Sequence, residues 1–370
     1  MSDTYLKVNI DYIRENIINL RKKAPNSKFS AVVKANAYGL GDVEISRNIE
    51  DLVDYFSVAR VSEAKSLRNN GITKPILILG YVPIEEINDC QKQNIDITIY
   101  DYDSAVEIND VLNEKINAHL AFDTGHSRIG FREFEIDKIK KLKELENLNI
   151  VGAFSHFSTA DEKDSSYTEK QLHIFDYMID KIKDDFKLDI IHISNDAGFI
   201  KHNIYKDMVR SGISMYGIYP SDLLKEEKNI SLKQSFKLIS TVSFVKEIDK
   251  GVSISYGRKF ISDRKMKIAT ISIGYADGFM RSFTNCGEVL INGKLARVTG
   301  AVCMDQIMVD ATGIDVKIGD NVEIYPDIYK EANKIGTITY ELMSIINMRI
   351  PRLYYKNGEL IKKLDYKLGD

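Results

Sequence analysis

Short apolar runs alternate with amphipathic, charged segments over roughly the first two-thirds of the chain. Ile13, Ile17 and Leu20 recur at helical spacing, and eight strand-like runs follow, separated by segments with helical periodicity. The eight runs are FSAVVKA, YFSVARV, PILILGY, IDITIY, INAHLAFD, NIVGAFSHF, DIIHISN and SGISMYG. Eight strands that alternate with helices predict a (β/α)8 TIM barrel, with a doubly wound open sheet as the competing architecture.

The pattern changes near residue 231. From Phe236 onward the apolar runs are strand-like and broken by turns, and Ile291–Lys294 carries the Asn-Gly signal of a two-residue hairpin. One helix is predicted around Tyr340–Asn347. This part of the chain therefore predicts a C-terminal all-β domain.

Two domains follow from this change of pattern. We predict the barrel over residues 1–230 and the β domain over residues 231–370. The run Tyr5–Ile10 is a candidate strand of the β domain, although it lies at the start of the chain.

Composition narrows the class of protein. The 370 residues are 44% hydrophobic and 28% charged with a net charge of −3, an ordinary globular mixture that gives no reason to expect nucleic acid or a membrane as partner. The three cysteines are too few and too scattered for a disulfide framework or a zinc site, and no metal is expected. No apolar run approaches the roughly 18 residues that span a bilayer, and the start MSDTYLKVNID does not look like a signal peptide. We predict a cytoplasmic protein.

Lys34 is the residue that points to chemistry. It stands at the end of the buried run Phe29–Val33 and precedes the segment ANAYGLG. Desolvation there would lower the pKa of the amine and make it a nucleophile or a base. Taken alone, such a lysine is more often one that reaches the surface along its own apolar stem.

The whole run AVVKANAYG changes that balance, because it resembles the pyridoxal-phosphate lysine motif of the alanine racemase family. The segments CMDQIMVD, GYADG and IPR resemble the same family, and the resemblance covers nearly the full length. It implies that Lys34 binds pyridoxal 5'-phosphate and acts as the base on one face of the substrate. It also implies that Tyr256, in GVSISYGRKF, is the base on the other face and comes from the partner subunit.

The resemblance assigns the other site residues as well. Arg210 would face the pyridine nitrogen, and His156 would pack at the cofactor ring. Without the resemblance, Arg210 would be a surface ion-pair partner, His156 a structural histidine and Tyr256 a tyrosine at a strand edge. The remaining cofactor-binding residues implied are Tyr38, Asn195, Gly212, Ile213 and Tyr340, and the substrate-binding residues are Arg128, Met304, Asp305 and Tyr275.

Four positions depart from the family pattern. Leu40 replaces a histidine, Ala301 replaces an arginine, and Ala121 replaces a lysine that holds the arginine matching Arg128. Asp196 stands where the family places a small serine against the phosphate. Because a carboxylate would repel a phosphate, we expect Asp196 to turn away and cap the following helix.

The sequence therefore predicts a pyridoxal-phosphate-dependent isomerase that interconverts L-alanine and D-alanine by a two-base mechanism and supplies peptidoglycan precursors. The active form implied is a homodimer with shared active sites and a small amino acid as substrate. The alternatives are a racemase for serine or a broader set of amino acids, a non-catalytic cofactor-binding barrel, and a barrel-type decarboxylase.

Overall fold

Strands and helices alternate from Tyr5 to Glu227, and strands predominate from Phe236 onward, in the computed structural model, which describes residues 3–368. The strands are β1 Tyr5–Asn9, β2 Lys28–Val32, β3 Tyr55–Val58, β4 Ile76–Ile78, β5 Ile95–Ile99, β6 Ile116–Ala121, β7 Leu148–Phe154, β8 Ile190–His192, β9 Met208–Ser211, β10 Phe236–Ile248, β11 Ser253–Ile254, β12 Phe260–Ile261, β13 Met266–Ile271, β14 Glu288–Ile291, β15 Lys294–Val298, β16 Ile307–Asp310, β17 Asn321–Ile324, β18 Arg352–Lys356 and β19 Glu359–Leu364. The helical segments are α1 Ile10–Lys23, α2 Lys34–Tyr38, α3 Asp42–Ile49, α4 Val61–Asn69, α5 Ile87–Lys92, α6 Tyr102–Val111, α7 Ile136–Lys141, α8 Ser166–Ile182, α9 Asp196–Ile200, α10 Asp222–Glu227, α11 Ile328–Lys334 and α12 Thr339–Ser344. The outer ends of the two predicted domains, residues 1–2 and 369–370, lie outside the described part.

Eight parallel strands form the first sheet, in the order β8-β7-β6-β5-β4-β3-β2-β9. The N–H groups of Asp207 and Arg210 donate to the carbonyls of Ile191 and Ser194 at 3.0 and 3.1 Å, which joins the chain at β9 to the chain at β8 and closes the ring. All five residues of β5 are buried, as expected for a parallel strand covered on both faces. The prediction of a (β/α)8 barrel is confirmed.

The eighth barrel strand lies earlier than the sequence pattern predicts. The pattern places it over SGISMYG, whereas the strand is β9 and Ile213–Tyr216 form a 3-10 helix. The N–H groups of Gly212 and Ser214 donate to the carboxylate of Asp196 and not to a neighbouring strand, so the extended conformation ends at Ser211.

The second sheet has nine strands in the order β13-β16-β15-β14-β17-β10-β1-β18-β19. Strand β10 pairs with both β17 and β13, so six of these strands close into a ring of antiparallel pairs. The predicted hairpin is present, with Asn292 and Gly293 at φ 48° and 77° between β14 and β15. The C-terminal β domain is confirmed, and β1 belongs to its sheet through pairs with β10 and β18.

Two compact units result. The barrel unit holds Tyr12–Ala37 and Asp42–Gln234, and the β unit holds the chain up to Asp11, Tyr38–Gly41 and the chain from Ser235. Within the β unit, Arg352 donates from Nε and Nη2 to the carbonyl of Gly39 at 3.1 and 2.8 Å. A Cβ at Gly39 would lie 2.4 Å from the carbonyl oxygen of Met343, so this close packing requires glycine. The predicted boundary between residues 230 and 231 stays a prediction.

Candidate active site

Lys34 lies two residues after the end of β2, at the carboxyl end of the barrel strands, where barrel enzymes build their sites. Its amine forms no hydrogen bond or ion pair with any of residues 3–368. Burial and, after it, the charge of Arg128 lower the pKa of Lys34, and Glu63 opposes the shift. A larger fraction of the amine is therefore uncharged at neutral pH than for an ordinary lysine, as a nucleophile or base requires.

The chain leaves Lys34 in a left-handed turn. Ala35, Asn36, Ala37 and Tyr38 all have φ between 50 and 56°, a conformation that costs non-glycine residues roughly 1–2 kcal/mol each. Glu63 accepts a hydrogen bond from the N–H of Ala35 at 2.6 Å and so holds the start of the turn. Strain of this kind is concentrated at functional sites, where the surrounding structure fixes it.

Arg210 lies in β9 and is buried inside the barrel. Its Nη1 contacts Nδ1 of His192 at 2.6 Å, and its Nη2 donates to the carbonyls of Ser155 and Ile193 at 2.7 and 2.9 Å. Nη2 also lies 3.2 Å from Nδ1 of His156. Its Nε–H has no acceptor among residues 3–368, and this burial rules out the surface ion-pair role.

Four of the barrel residues assigned by the resemblance form one cluster of basic side chains. Burial and, after it, the charge of Arg128 lower the pKa of Arg210 to about 9, so its guanidinium is still charged at neutral pH. Burial, then Arg210 and Arg128, hold the pKa of His156 well below its usual value, so His156 is neutral. The structure therefore brings Lys34, Arg128, His156 and Arg210 together at one end of the barrel.

The turn between β8 and α9 differs from the prediction. Asn195, not Asp196, caps α9, because its Oδ1 accepts from the N–H of Gly198 at 3.0 Å. The prediction that Asp196 caps this helix is wrong, since the preceding residue already has the extended conformation and short side chain that a cap needs. Asn195 is therefore a structural cap in this chain, and its assignment to the cofactor stays a prediction.

The carboxylate of Asp196 instead enters the turn to which the resemblance assigns the phosphate. It accepts hydrogen bonds from Oγ of Ser211 at 2.5 Å and from the N–H groups of Gly212 and Ser214 at 3.0 and 3.1 Å. Burial raises the pKa of Asp196, and these three hydrogen bonds oppose that shift. An internal anion thus takes the Gly212 donor, whereas the N–H of Ile213 is not among its partners.

We expect Asp196→Ser to tighten pyridoxal-phosphate binding by about tenfold, or about 1.4 kcal/mol. The change frees two N–H donors and removes a negative charge beside the phosphate. It should also destabilise the cofactor-free protein by about 1–3 kcal/mol, because the same donors lose their acceptor. Equilibrium dialysis and urea unfolding measure the two effects, and Asp196→Asn, which keeps the shape but not the charge, is the matched control. Equal cofactor affinity in all three proteins at low salt would show that the carboxylate does not oppose the phosphate.

Arg128 is exposed, and no residue in the described part of the chain forms a hydrogen bond or ion pair with it. Ala121, at the position of the lysine that holds this arginine in the family pattern, is buried and apolar. No side chain among residues 3–368 therefore fixes the guanidinium of Arg128.

We expect full activity after careful removal of bicarbonate, because Ala121 cannot carry a carbamate. We also expect that exchanging chloride for a bulkier anion changes the Michaelis constant, because a bound anion would take the place of the missing partner of Arg128. Steady-state kinetics in defined buffers measure both effects. Bicarbonate dependence would refute the first expectation, and insensitivity to anions would refute the second.

Tyr256 lies in the β unit, in a 3-10 turn over Tyr256–Arg258, and its side chain is 74% exposed. Ser255 before it has φ 64° and donates from Oγ to the carbonyl of Ala301 at 2.6 Å. The turn therefore holds the ring out into solvent, although a tyrosine ring is usually at least partly buried.

Tyr275 and Met304 lie on two loops that are joined by backbone hydrogen bonds. The N–H groups of Tyr275 and Ala276 donate to the carbonyls of Cys303 and Met304, both at 3.0 Å. The side chains of Tyr275 and Met304 are exposed. The predicted substrate-binding residues of the β unit thus lie on one exposed loop pair.

Asp305 pairs with Arg349 at 2.7 Å, and Arg349 also pairs with Asp277 at 2.7 Å. Asp305 therefore ties its own loop to Arg349, and its assignment to the substrate stays a prediction. Also in the β unit, the rings of Tyr38 and Tyr340 lie 6.0 Å apart. Their assignment to the phosphate stays a prediction.

Sequence reasoning missed several polar residues of the barrel unit. They are Tyr55, Glu63, Asp96, His119 and His192. For four of them the available signal was a polar residue within an apolar strand-like run, such as the histidine in DIIHISN. For Glu63 no signal was available, because its partner is a backbone N–H exposed by the left-handed turn.

Residues 3–368 contain no group of three or more His, Cys, Asp or Glu side chains placed to hold a metal ion. None of the described helices combines the length and the apolar character needed to cross a membrane.

Comparisons with known proteins agree along the whole chain. The family model described as alanine racemase, N-terminal domain, matches residues 8–220, and the one described as alanine racemase, C-terminal domain, matches residues 235–354. The chain is 39% identical to an alanine racemase of Clostridium perfringens over 98% of each protein. It is 40% identical to one of Methanococcus maripaludis over 95% of this chain and 98% of that protein.

Solved structures give the same result. The alanine racemase of Clostridium difficile 630 matches with a TM-score of 0.94 and 39% identity over 99% of both chains. That of Bacillus anthracis, described with bound L-Ala-P, matches with a TM-score of 0.95 and 31% identity over 100% of this chain and 99% of the other.

The fold and these matches define an isomerase built from a (β/α)8 barrel and a β domain. The chain belongs to the alanine racemase family. The predictions of the family, of the fold and of an isomerase are confirmed.

Proposed function

We propose that this protein interconverts L-alanine and D-alanine with pyridoxal 5'-phosphate as cofactor and with Lys34 and Tyr256 as two opposed bases. Racemisation of alanine is the activity that the family match supports, in agreement with the sequence prediction. The observation that carries the proposal is the amine of Lys34, which has a lowered pKa and no partner among the described residues.

The residues at the amine and ring end fit this cofactor. Lys34 would hold it covalently through Nζ, because a buried amine of lowered pKa is the group that condenses with an aldehyde. The Nε–H of Arg210 would face the pyridine nitrogen, which is an acceptor and would satisfy a donor that has no acceptor among the described residues. When bound, the cofactor supplies an electron sink that acidifies the α C–H bond of an attached amino acid.

The residues assigned to the phosphate fit the cofactor less well. The N–H of Gly212 already donates to Asp196, so fewer donors remain for the phosphate than the resemblance implies. Weaker cofactor retention is the expected consequence, and the affinity of the Asp196→Ser variant for the cofactor tests it.

Two bases on opposite faces can remove the α-proton from one side and return one to the other without moving the substrate. Lys34 serves as one base because its pKa is lowered. Tyr256 would serve as the other from a partner subunit, where cationic neighbours such as Arg128 would favour its ionised form. The exposure of Tyr256 supports this arrangement, because the ring is free to enter another subunit.

Arg210 favours racemisation over other chemistry of this cofactor. Because the guanidinium is charged at neutral pH and is held by His192 and two carbonyls, it would donate to the ring nitrogen and would not give that nitrogen a proton. An unprotonated ring withdraws electrons less strongly, which disfavours competing reactions such as transamination. A decarboxylase would be expected to place an acid here.

The same proposal includes a homodimer with shared sites, a cytoplasmic location and the supply of D-alanine for peptidoglycan. The homodimer is supported by the need for a base from a partner subunit. The other two follow from the reaction, because D-alanine is consumed in making cell-wall precursors.

The decisive experiment is an absorbance spectrum of the purified protein with and without borohydride, followed by chiral analysis of alanine and serine incubations. We expect a visible band that borohydride removes, and conversion of L-alanine to D-alanine. A protein that carries no cofactor after reconstitution, or one that racemises serine faster than alanine, would contradict the proposal.

A further inference from the structure

A chain of polar side chains crosses the barrel interior behind Arg210. Nη1 of Arg210 lies 2.6 Å from Nδ1 of His192, and Nε2 of His192 lies 3.1 Å from Nδ1 of His119. Nε2 of His119 then faces Oδ2 of Asp96 at 3.8 Å, and the same carboxylate accepts the hydroxyl of Tyr55. These five residues lie on β9, β8, β6, β5 and β3.

The donors and acceptors in this chain can be ordered in one way. Arginine has no acceptor, so Nδ1 of His192 must present a lone pair to Arg210 and the proton of a neutral His192 must be on Nε2. That Nε2–H donates to His119, whose Nδ1 is therefore also unprotonated. The proton of a neutral His119 is then on Nε2, pointing toward Asp96.

The two histidines and the aspartate of this chain of side chains are buried. His119 and His192 are fully buried, and Asp96 is only 4% exposed. Burial and the charge of Arg210 hold the pKa of His192 well below its usual value, so this histidine is neutral. Nε2 of His119 has no partner within hydrogen-bonding distance among the described residues, and the carboxylate of Asp96 is the acceptor that it faces.

A glycine on the strand between β6 and β8 leaves room for the contact between His119 and His192. Strand β7 lies between β6 and β8, and its Gly152 pairs in register with His119 on β6 and with Ile190 on β8. A Cβ on Gly152 would lie 2.4 Å from Nδ1 of His119, so any other residue would push His119 away from His192. The pairing of β6 with β7 also shifts register between Ala118 and His119.

We propose that Asp96 and His119 form a tautomer lock that fixes the orientation of Arg210. A carboxylate can only accept, so it keeps the proton of His119 on Nε2 and, through His119, the proton of His192 on Nε2. Were His119 to reverse, His192 would present an N–H to the N–H of Arg210, and the guanidinium would lose this contact. Asp96 and His119 are positioning residues, and their effect on turnover rests on the proposed function, in which Arg210 faces the cofactor.

The first test is ¹⁵N NMR of the holoenzyme labelled at histidine, because ring nitrogen shifts distinguish the two neutral tautomers. The chain has six histidines, so each signal is assigned by single substitution. We expect both His119 and His192 to be neutral with the proton on Nε2. A proton on Nδ1 of either residue, or a charged His192, overturns the proposal whether or not the protein is a racemase.

The second test compares Asp96→Asn with Tyr55→Phe. Asparagine can donate as well as accept, so it releases the lock, whereas Tyr55→Phe removes a hydrogen bond to the same carboxylate and keeps the acceptor for His119. We expect Asp96→Asn to give a mixture of histidine tautomers, an altered absorbance band and an approximately tenfold lower kcat with a KM for alanine within about twofold. We expect Tyr55→Phe to keep the wild-type tautomers, absorbance and kcat.

The outcomes of these experiments distinguish the tautomer lock from the proposed function. Wild-type tautomers and kcat in Asp96→Asn would overturn the lock. If Asp96→Asn does not fold, Gly152→Ala, which acts by displacing His119, takes its place with the same expected spectral change. A protein that shows the predicted tautomers but binds no cofactor would refute the proposed function and leave the lock intact.

Discussion

Replacing Lys34 with alanine is expected to lower racemisation by at least about 10⁴-fold, the upper end of what loss of a single base costs. The expected loss is this large because Lys34 is assigned both to hold the cofactor and to move the proton on one face. The amine is suited to both tasks by its place after β2 and its lowered pKa. The measurement is the initial rate of D-alanine formation at saturating cofactor.

Lys28 provides the matched control, because it lies at the exposed start of the same strand. Lys28→Ala should retain full activity and full borohydride labelling. Peptide mapping after reduction should find the pyridoxyl group on Lys34 in the wild type and on no lysine in Lys34→Ala. A label on another lysine would show that the motif has been assigned to the wrong residue.

Much of the fold follows from the sequence because its elements are short and strongly patterned. The eight apolar runs predict the barrel strands, and the helical spacing of Ile13, Ile17 and Leu20 predicts α1, in which all three are fully buried. The eighth strand was misplaced by several residues because the apolar run continues beyond Ser211. The strand ends there because the Asp196 carboxylate competes for the next N–H groups.

The sequence predicts site residues whose own side chains carry the chemistry. It predicts less well which residues form hydrogen bonds with them. Lys34 stands at a strand end that the pattern locates, so its place at the carboxyl end of the barrel could be expected. The place of Arg210 could not be expected from the pattern, which puts the eighth strand after this residue. The position of the Asp196 side chain could not be predicted, because an aspartate before a helix usually caps the helix and the preceding Asn195 competes for that role. The link between His119 and His192 depends on the missing side chain of Gly152, which leaves no pattern of its own.

Replacing Tyr256 with phenylalanine is expected to lower turnover by about 10²–10⁴-fold while cofactor binding is retained. The change keeps the ring and removes the hydroxyl that would carry the proton. Tyr177, which lies on α8, is also exposed. Tyr177→Phe is therefore the matched control and should have wild-type rates. Because Lys34 would still act on its own face, Tyr256→Phe should also exchange the α-proton of one alanine enantiomer with solvent faster than it racemises, which NMR in deuterated water measures.

Mixed dimers test whether Tyr256 acts across subunits. If each site takes Lys34 from one subunit and Tyr256 from the other, a heterodimer of Lys34→Ala and Tyr256→Phe subunits has one site with both bases intact and one with neither. Activity should therefore rise from near zero in each parent to about half of the wild-type value per heterodimer. If both residues came from the same subunit, every site would lack one base and mixing would restore nothing. Differently tagged subunits, purified through both tags, ensure that heterodimers are measured, and inactivity in that fraction would place Tyr256 in the site of its own chain or outside the site.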